Sequence, residues 1–229
     1  MKNFKSIVFL LIMAGFVQNA TSQKASELMA PILGNEIDNV RKLINAGADV
    51  NEKFNFGATG KITALFLAVM LGRTEICNVL IDAGADVHVI IQGMTLLHNV
   101  ALSSGDYEGT AALLIAKGLD VNAKDTYGEA KDATPLHVAA GKGNVSVARI
   151  LILNGAEVNA RLPYRGLTSL HLAAQNGHEK VAELLIVKGA DINAKSMYGE
   201  TPIDLAMSEE HKELAELLRK HGGLSGKEK

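Results

Sequence analysis

A pentapeptide that recurs five times constrains this chain more than any other feature. Glycine is followed by a small or apolar residue, an acid, Val or Ile, and a closing Asn or His. The copies are Gly47-Ala48-Asp49-Val50-Asn51, Gly84-Ala85-Asp86-Val87-His88, Gly118-Leu119-Asp120-Val121-Asn122, Gly155-Ala156-Glu157-Val158-Asn159 and Gly189-Ala190-Asp191-Ile192-Asn193. Successive glycines stand 37, 34, 37 and 34 residues apart. A second series, Thr63, Thr95, Thr134, Thr168 and Thr201, opens an apolar stretch at the same period. Two interleaved series of this period mark a repeat array. No unit of such an array buries its apolar face alone, so stability comes from stacking.

The unit from Thr134 to Asn159 reads physically. Thr134 is a good helix N-cap, and Pro135 at the first helical position loses no bond that it needed. Leu136, Ala139 and Ala140 fall three and four apart, on one face of a short helix. The alanines let a neighbouring helix approach closely. Gly143 ends this helix in the left-handed conformation that glycine tolerates. A second helix buries Val147, Ala148, Ile150, Leu151 and Ile152, and Gly155 closes it. A polar finger then leads to the next Thr.

Thr134-Pro135-Leu136-His137, with Thr168-Ser169-Leu170-His171 and Thr95-Leu96-Leu97-His98, resembles the hallmark of ankyrin repeats. The resemblance covers about residues 26–223. It implies an all-α solenoid of stacked helix-turn-helix units with protruding finger loops, divided near 26–51, 52–88, 89–122, 123–159, 160–193 and 194–223. Thr63-Ala64-Leu65-Phe66 departs from the pattern by placing Phe where the family has His, and Thr201-Pro202-Ile203-Asp204 places Asp there. The last unit carries a charged helix through Lys212, Glu213, Glu216, Arg219 and Lys220, the polar outer face a terminal repeat needs. Residues 224–229 read as a frayed tail. The resemblance also implies structural roles for Thr134, Pro135, His98, His137 and His171, whose imidazoles bond to backbone across neighbouring units.

Residues 1–22 stand apart. Lys2 and Lys5 precede the apolar run Ile7–Phe16, and small residues end the segment at Ala20-Thr21-Ser22. That is the layout of a secretory signal, and the run is too short for a stable span. The expectation is an exported protein, periplasmic or extracellular, with no membrane span once the signal is cleaved. Loss of Lys2 and Lys5 takes the formal charge from −2 to −4. Such a balance gives no basic footprint for nucleic acid. Cys77 is the one cysteine, which excludes an intrachain disulfide and suits an oxidising compartment.

Chemistry is harder to find. His98, His137 and His171 lie on stacked units about 10 Å apart, too far for side chains to converge on one metal ion. Gly141-Lys142-Gly143 follows a helix and lacks a third glycine, so it is no dinucleotide loop. Cys77 lies among Ile76, Val79 and Leu80, as a packed small hydrophobe would. Asn144-Val145-Ser146 is a glycosylation sequon. No catalytic, metal or cofactor residue is assigned, and none of the classes of enzyme motif is matched.

The expected function is binding of a protein partner by a monomer. The fingers Glu52–Ile62 and Ala123–Ala133 are the long ones, and insertions in a solenoid map to one face, often the binding face. Five of the seven aromatic residues beyond residue 22 fall in fingers: Phe54, Phe56, Tyr127, Tyr164 and Tyr198. Arg161 and Arg165 flank Tyr164, and Tyr and Arg are common anchors of interfaces. Met70, Leu71 and Leu102 end first helices, where they can extend an apolar patch. These ten residues are the candidate contacts. The partner's role stays open between an envelope enzyme that this chain accompanies or protects and a host component met by an exported effector.

Overall fold

A computed structural model describes residues 26–103, 105, 107–126 and 131–226. Among them, twelve α-helices run in pairs. They are α1 (Met29–Gly34) with α2 (Ile37–Asn45), α3 (Ala64–Met70) with α4 (Thr74–Asp82), α5 (Leu96–Leu102) with α6 (Glu108–Ala116), α7 (Pro135–Lys142) with α8 (Val145–Leu153), α9 (Ser169–Gln175) with α10 (Glu179–Val187), and α11 (Pro202–Ser208) with α12 (Lys212–Lys220). The fold is the all-α ankyrin type, with one small exception in a finger.

The first helix of each pair from α3 onward begins at a threonine with extended backbone. Thr134 has φ −91 and ψ 163, and its side chain accepts from the His137 N–H. Pro135 occupies the first helical position, and Gly143 ends the turn at φ 71 in the left-handed region. A Cβ there would also sit 2.6 Å from the His178 ring, so the position is closed to larger residues twice over. The second helices are short, and the last is amphipathic. In α12, Leu214, Ala215 and Leu218 are buried, while Lys212, Glu213, Glu216, Arg219 and Lys220 are exposed.

The chain divides into two compact units, Met1–Gln92 and Gly93–Lys229. In the first, α1 packs on α3 and α2 on α4. In the second, the first helices α5, α7, α9 and α11 pack in series, and so do α6, α8, α10 and α12. Small residues make the close approach possible: Ala101, Ala139, Ala140, Ala173, Ala174 and Ala206 are wholly buried. Leucines and valines fill the rest, including Leu136, Leu151, Leu170 and Leu185, all inaccessible to solvent. Cys77 is wholly buried in α4, and burial pushes its thiol up to about 12, so it packs as a small hydrophobe.

The long finger of the first unit holds the exception. Phe54–Asn55 (β1) pairs antiparallel with Lys61–Ile62 (β2), and Gly57–Thr59 makes a single 3-10 turn between them. Side chains alternate across the hairpin, so Phe54 and Ile62 point inward, 4% and 0% exposed, while Asn55 and Lys61 face out. Phe54 is therefore a core residue and not a partner contact: its register in the hairpin turns the ring inward. The tail also differs from expectation. Leu224 N–H donates to Asn193 Oδ1 at 2.8 Å, Ser225 Oγ donates to Asp204 Oδ1 at 2.6 Å, and Gly226 N–H donates to Asp204 Oδ2 at 2.7 Å. Residues 224–226 are held against the last helix pair and are not frayed.

Candidate binding surface

Three buried histidines repeat one geometry. His98, His137 and His171 are 0%, 1% and 0% exposed. Each Nδ1 lies 3.1–3.3 Å from the backbone N–H of the threonine three residues earlier. A backbone N–H only donates, so Nδ1 accepts and the ring proton sits on Nε2. That nitrogen donates to a carbonyl of the next finger: Ala133 O at 2.9 Å, Ala160 O at 3.1 Å and Glu200 O at 3.1 Å respectively. Burial pushes all three imidazoles below their ordinary range, His137 to about 4. They are neutral struts between a helix start and the following finger. Each reaches a different oxygen.

Asp204 takes the same place in the last helix pair, still accepts from the threonine three residues earlier, and reverses only the outward bond. The carboxylate accepts from Thr201 N–H and Thr201 Oγ1, both at 2.9 Å, and from the tail groups Ser225 Oγ and Gly226 N–H. Partial burial raises its pKa, but these four donors outweigh it and hold the carboxyl down to about 2.

The asparagines that close the pentapeptides form a second ladder. Asn122 Nδ2 donates to Gly155 O at 3.0 Å, and Glu157 N–H donates to Asn122 Oδ1 at 2.9 Å. Asn159 does the same to Gly189 O and Asp191 N–H, and Asn193 to Gly222 O and Leu224 N–H. In the first unit, Asn51 clamps Gly84 O and Asp86 N–H. The signal was present, since Asn closes four of the five pentapeptides, but spacing alone does not show which backbone groups it reaches. His178 and His211 add a third set, donating from Nε2 to Gly141 O at 3.1 Å and Gln175 O at 3.2 Å. Asn144 is 9% exposed, and its Nδ2 donates to Ser103 O at 3.0 Å, so the sequon asparagine belongs to this packing.

The fingers of the second unit rest on a small core of their own. Ala133, Leu162, Leu167 and Leu205 are buried together, with Val138 and Leu172 packed against them. Neighbouring finger segments bond directly. Met197 N–H donates to Arg165 O at 2.9 Å, Thr126 N–H donates to Gly93 O at 3.0 Å, and the Arg161 guanidinium donates to Lys195 O. Gly166, at φ 65, permits this approach: a Cβ there would stand 3.1 Å from Met197 N.

On that base stand the exposed candidates. Tyr164 is 66% exposed and Tyr198 is 75% exposed, with Arg161 and Arg165 also exposed. Met197, 66% exposed beside Tyr198, was missed although its place in the finger is the same. Leu102 is 37% exposed at the end of α5. In the first unit, Met70, Leu71 and Phe56 are half-buried. Tyr127 lies outside the described residues. The structure thus brings Arg161, Tyr164, Arg165 and Tyr198 to one pair of neighbouring fingers, and places Phe54, Phe56, Met70 and Leu71 in the other unit. Among the described residues, no group of three or more His, Cys, Asp or Glu side chains converges as a metal site would need, and no helix is long and apolar enough to cross a membrane.

Comparison with known proteins agrees with the repeat pattern of the sequence. The family description "Ankyrin repeats (3 copies)" fits residues 28–125, 65–162, 97–196 and 136–227, and the chain belongs to the ankyrin-repeat family. It is similar to the human ankyrin repeat and KH domain-containing protein 1, 38% identical over 104 residues that make up 45% of this chain and 4% of that protein. It is also similar to alpha-latrocrustotoxin-Lt1a of Latrodectus tredecimguttatus, 34% identical over 125 residues, 55% of this chain and 8% of the toxin. With alpha-latrotoxin-Lg1a of Latrodectus geometricus it shares 33% identity over 144 residues, 62% of this chain and 9% of the toxin. The chain spans less than a tenth of the length of these relatives. Ankyrin repeats are in general protein-interaction modules.

Proposed function

We propose that this chain is an exported, non-enzymatic scaffold of six ankyrin repeats that binds a protein partner through its finger loops and first helices. The observation that carries the reading is the finger surface at Tyr164, Met197 and Tyr198. Three large apolar side chains, each two-thirds or more exposed, stand on segments braced by backbone bonds and a buried local core. Exposed Tyr and Met next to Arg match the composition of interface anchors. A braced loop loses little conformational freedom on binding, so more of the contact energy appears as affinity. The buried histidines serve the framework, which supports a function without a chemical step.

Export rests on Lys2, Lys5, the run Ile7–Phe16 and Ala20-Thr21-Ser22. An intact-mass measurement on protein purified from its source tests it. The reading expects a chain starting at Gln23, and a chain that retains Met1 or lacks only that residue contradicts it.

Binding is tested by capture from the source's envelope fraction, with the wild type beside a Tyr164→Ala, Tyr198→Ala variant of equal melting temperature. The reading expects a protein that the wild type retains and the variant loses. Equal retention by both places binding elsewhere on the array and overturns the finger assignment.

A further inference from the structure

The fingers that carry the exposed tyrosines also carry a charge unlike that of the chain. Residues 160–166 and 194–200 hold three cations, Arg161, Arg165 and Lys195, and one carboxylate, Glu200. That carboxylate is engaged, since its Oε2 accepts from Ser196 Oγ at 3.3 Å. Elsewhere the acids prevail, and the whole chain has a formal charge of −2. The three cationic residues are exposed, as are Tyr164, Met197 and Tyr198 between them.

Resting on the binding function proposed above, we propose that this finger surface takes an acidic segment of a partner protein, one that alternates carboxylates with an aromatic or aliphatic side chain. Charge complementarity selects it. The planar Arg165 guanidinium suits a carboxylate, which it can bind through two parallel N–H donors. Lys195 offers a second, more diffuse positive point on the neighbouring finger. Tyr164, Met197 and Tyr198 supply the apolar contact. A basic segment is repelled by the same three cations, so the charge sets specificity and encounter rate as much as affinity.

The backbone makes the surface ready. Met197 N–H to Arg165 O at 2.9 Å and Ser196 N–H to Glu200 O at 2.8 Å fix the spacing of the two fingers and the shape of the second. Within the first, Leu162 N–H donates to Leu167 O at 2.9 Å and Gly166 N–H to Leu162 O at 2.7 Å. The Arg161 guanidinium braces the pair through Lys195 O, so Arg165 and Lys195 are the cations to vary.

The test measures fluorescence anisotropy of a fluorescein-labelled random copolymer of glutamate and tyrosine against the full chain. A lysine–tyrosine copolymer, a glutamate homopolymer and a labelled oligothymidylate are run beside it. The glutamate–tyrosine copolymer binds more tightly than the other three, and raising the salt from about 50 to about 300 mM weakens it severalfold. Arg165→Gln with Lys195→Gln weakens it about tenfold, the effect of losing two such charged contacts. Tyr164→Ala with Tyr198→Ala weakens it as well, and both variants keep the wild-type melting temperature. Equal or tighter binding of the lysine–tyrosine copolymer overturns the proposal. So does tighter binding of the oligothymidylate, which assigns the surface to nucleic acid, and so does an Arg165→Gln, Lys195→Gln variant that binds as the wild type does. The natural partner separates this inference from the one beneath it. A partner lost on Tyr164→Ala, Tyr198→Ala but held by Arg165→Gln, Lys195→Gln leaves the finger reading standing and removes its acidic specificity. A partner held by both removes both.

Discussion

At His137 a single imidazole bonds three groups on two residues: the Thr134 N–H, the Thr134 hydroxyl and the Ala160 carbonyl. His137→Ala leaves buried backbone groups without that partner and costs about 1–3 kcal/mol. The loss is read as a lower urea midpoint at unchanged m value. The same ring makes stability depend on pH. Its pKa is near 6.5 when unfolded and about 4 when folded. Between those values the unfolded chain binds the extra proton, so the contribution is complete above about pH 6.5. It is lost as the pH falls toward about 4, by roughly 3 kcal/mol for this one group. Urea midpoints of the wild type fall across that window, and those of His137→Ala fall less. The role of these histidines was legible through the resemblance of Thr134-Pro135-Leu136-His137 and its copies to the ankyrin hallmark, which implies imidazoles bonded to the backbone of neighbouring units. The asparagine clamps were not. Asn122 reaches Gly155 O and the Glu157 N–H, and that pairing exists only once two units stack.

Among the elements, helix starts and turns were the most legible parts, because caps are local. Thr134, Pro135 and Gly143 each stand where their own stereochemistry puts them. Gly143→Ala forces a side chain into left-handed backbone and against His178, and costs about 1–2 kcal/mol from the backbone alone. Thermal unfolding of that variant reads the cost. The hairpin Phe54–Ile62 and the held tail were not legible. The finger's outer residues gave no strand period longer than two positions, and the tail is bound by groups far from it in sequence. The tail bonds have a measurable consequence at Asp204. Its carboxyl titrates near 2, against 3.8 in the unfolded chain, so its contribution is present above about pH 3.8 and is lost as the pH falls toward 2. Ser225→Ala removes one of the donors that hold it down. A carboxyl NMR titration then finds the Asp204 pKa moved up toward 3.8, and an unchanged value contradicts the role given to the tail.

Across the whole molecule, the period of the sequence was sufficient to give the stacked helix pairs, and the aromatic content of the fingers pointed to a surface. Which aromatics face solvent was decided by packing. Phe54 turns into the first unit, while Tyr164 and Tyr198 stand clear of the second. Their truncation therefore separates binding from folding: Tyr164→Ala and Tyr198→Ala each change stability by less than about 0.5 kcal/mol, as exposed side chains do. The proposed binding mode has the fingers of the second unit, and not the second helices, meet the partner. A photo-crosslinking amino acid placed in turn at position 198, on a finger, and at position 187, where Val187 is 70% exposed on α10, distinguishes the two surfaces in the native source. Binding through the fingers gives a discrete adduct from position 198 and none from position 187. An adduct from position 187 alone, or from neither, contradicts it.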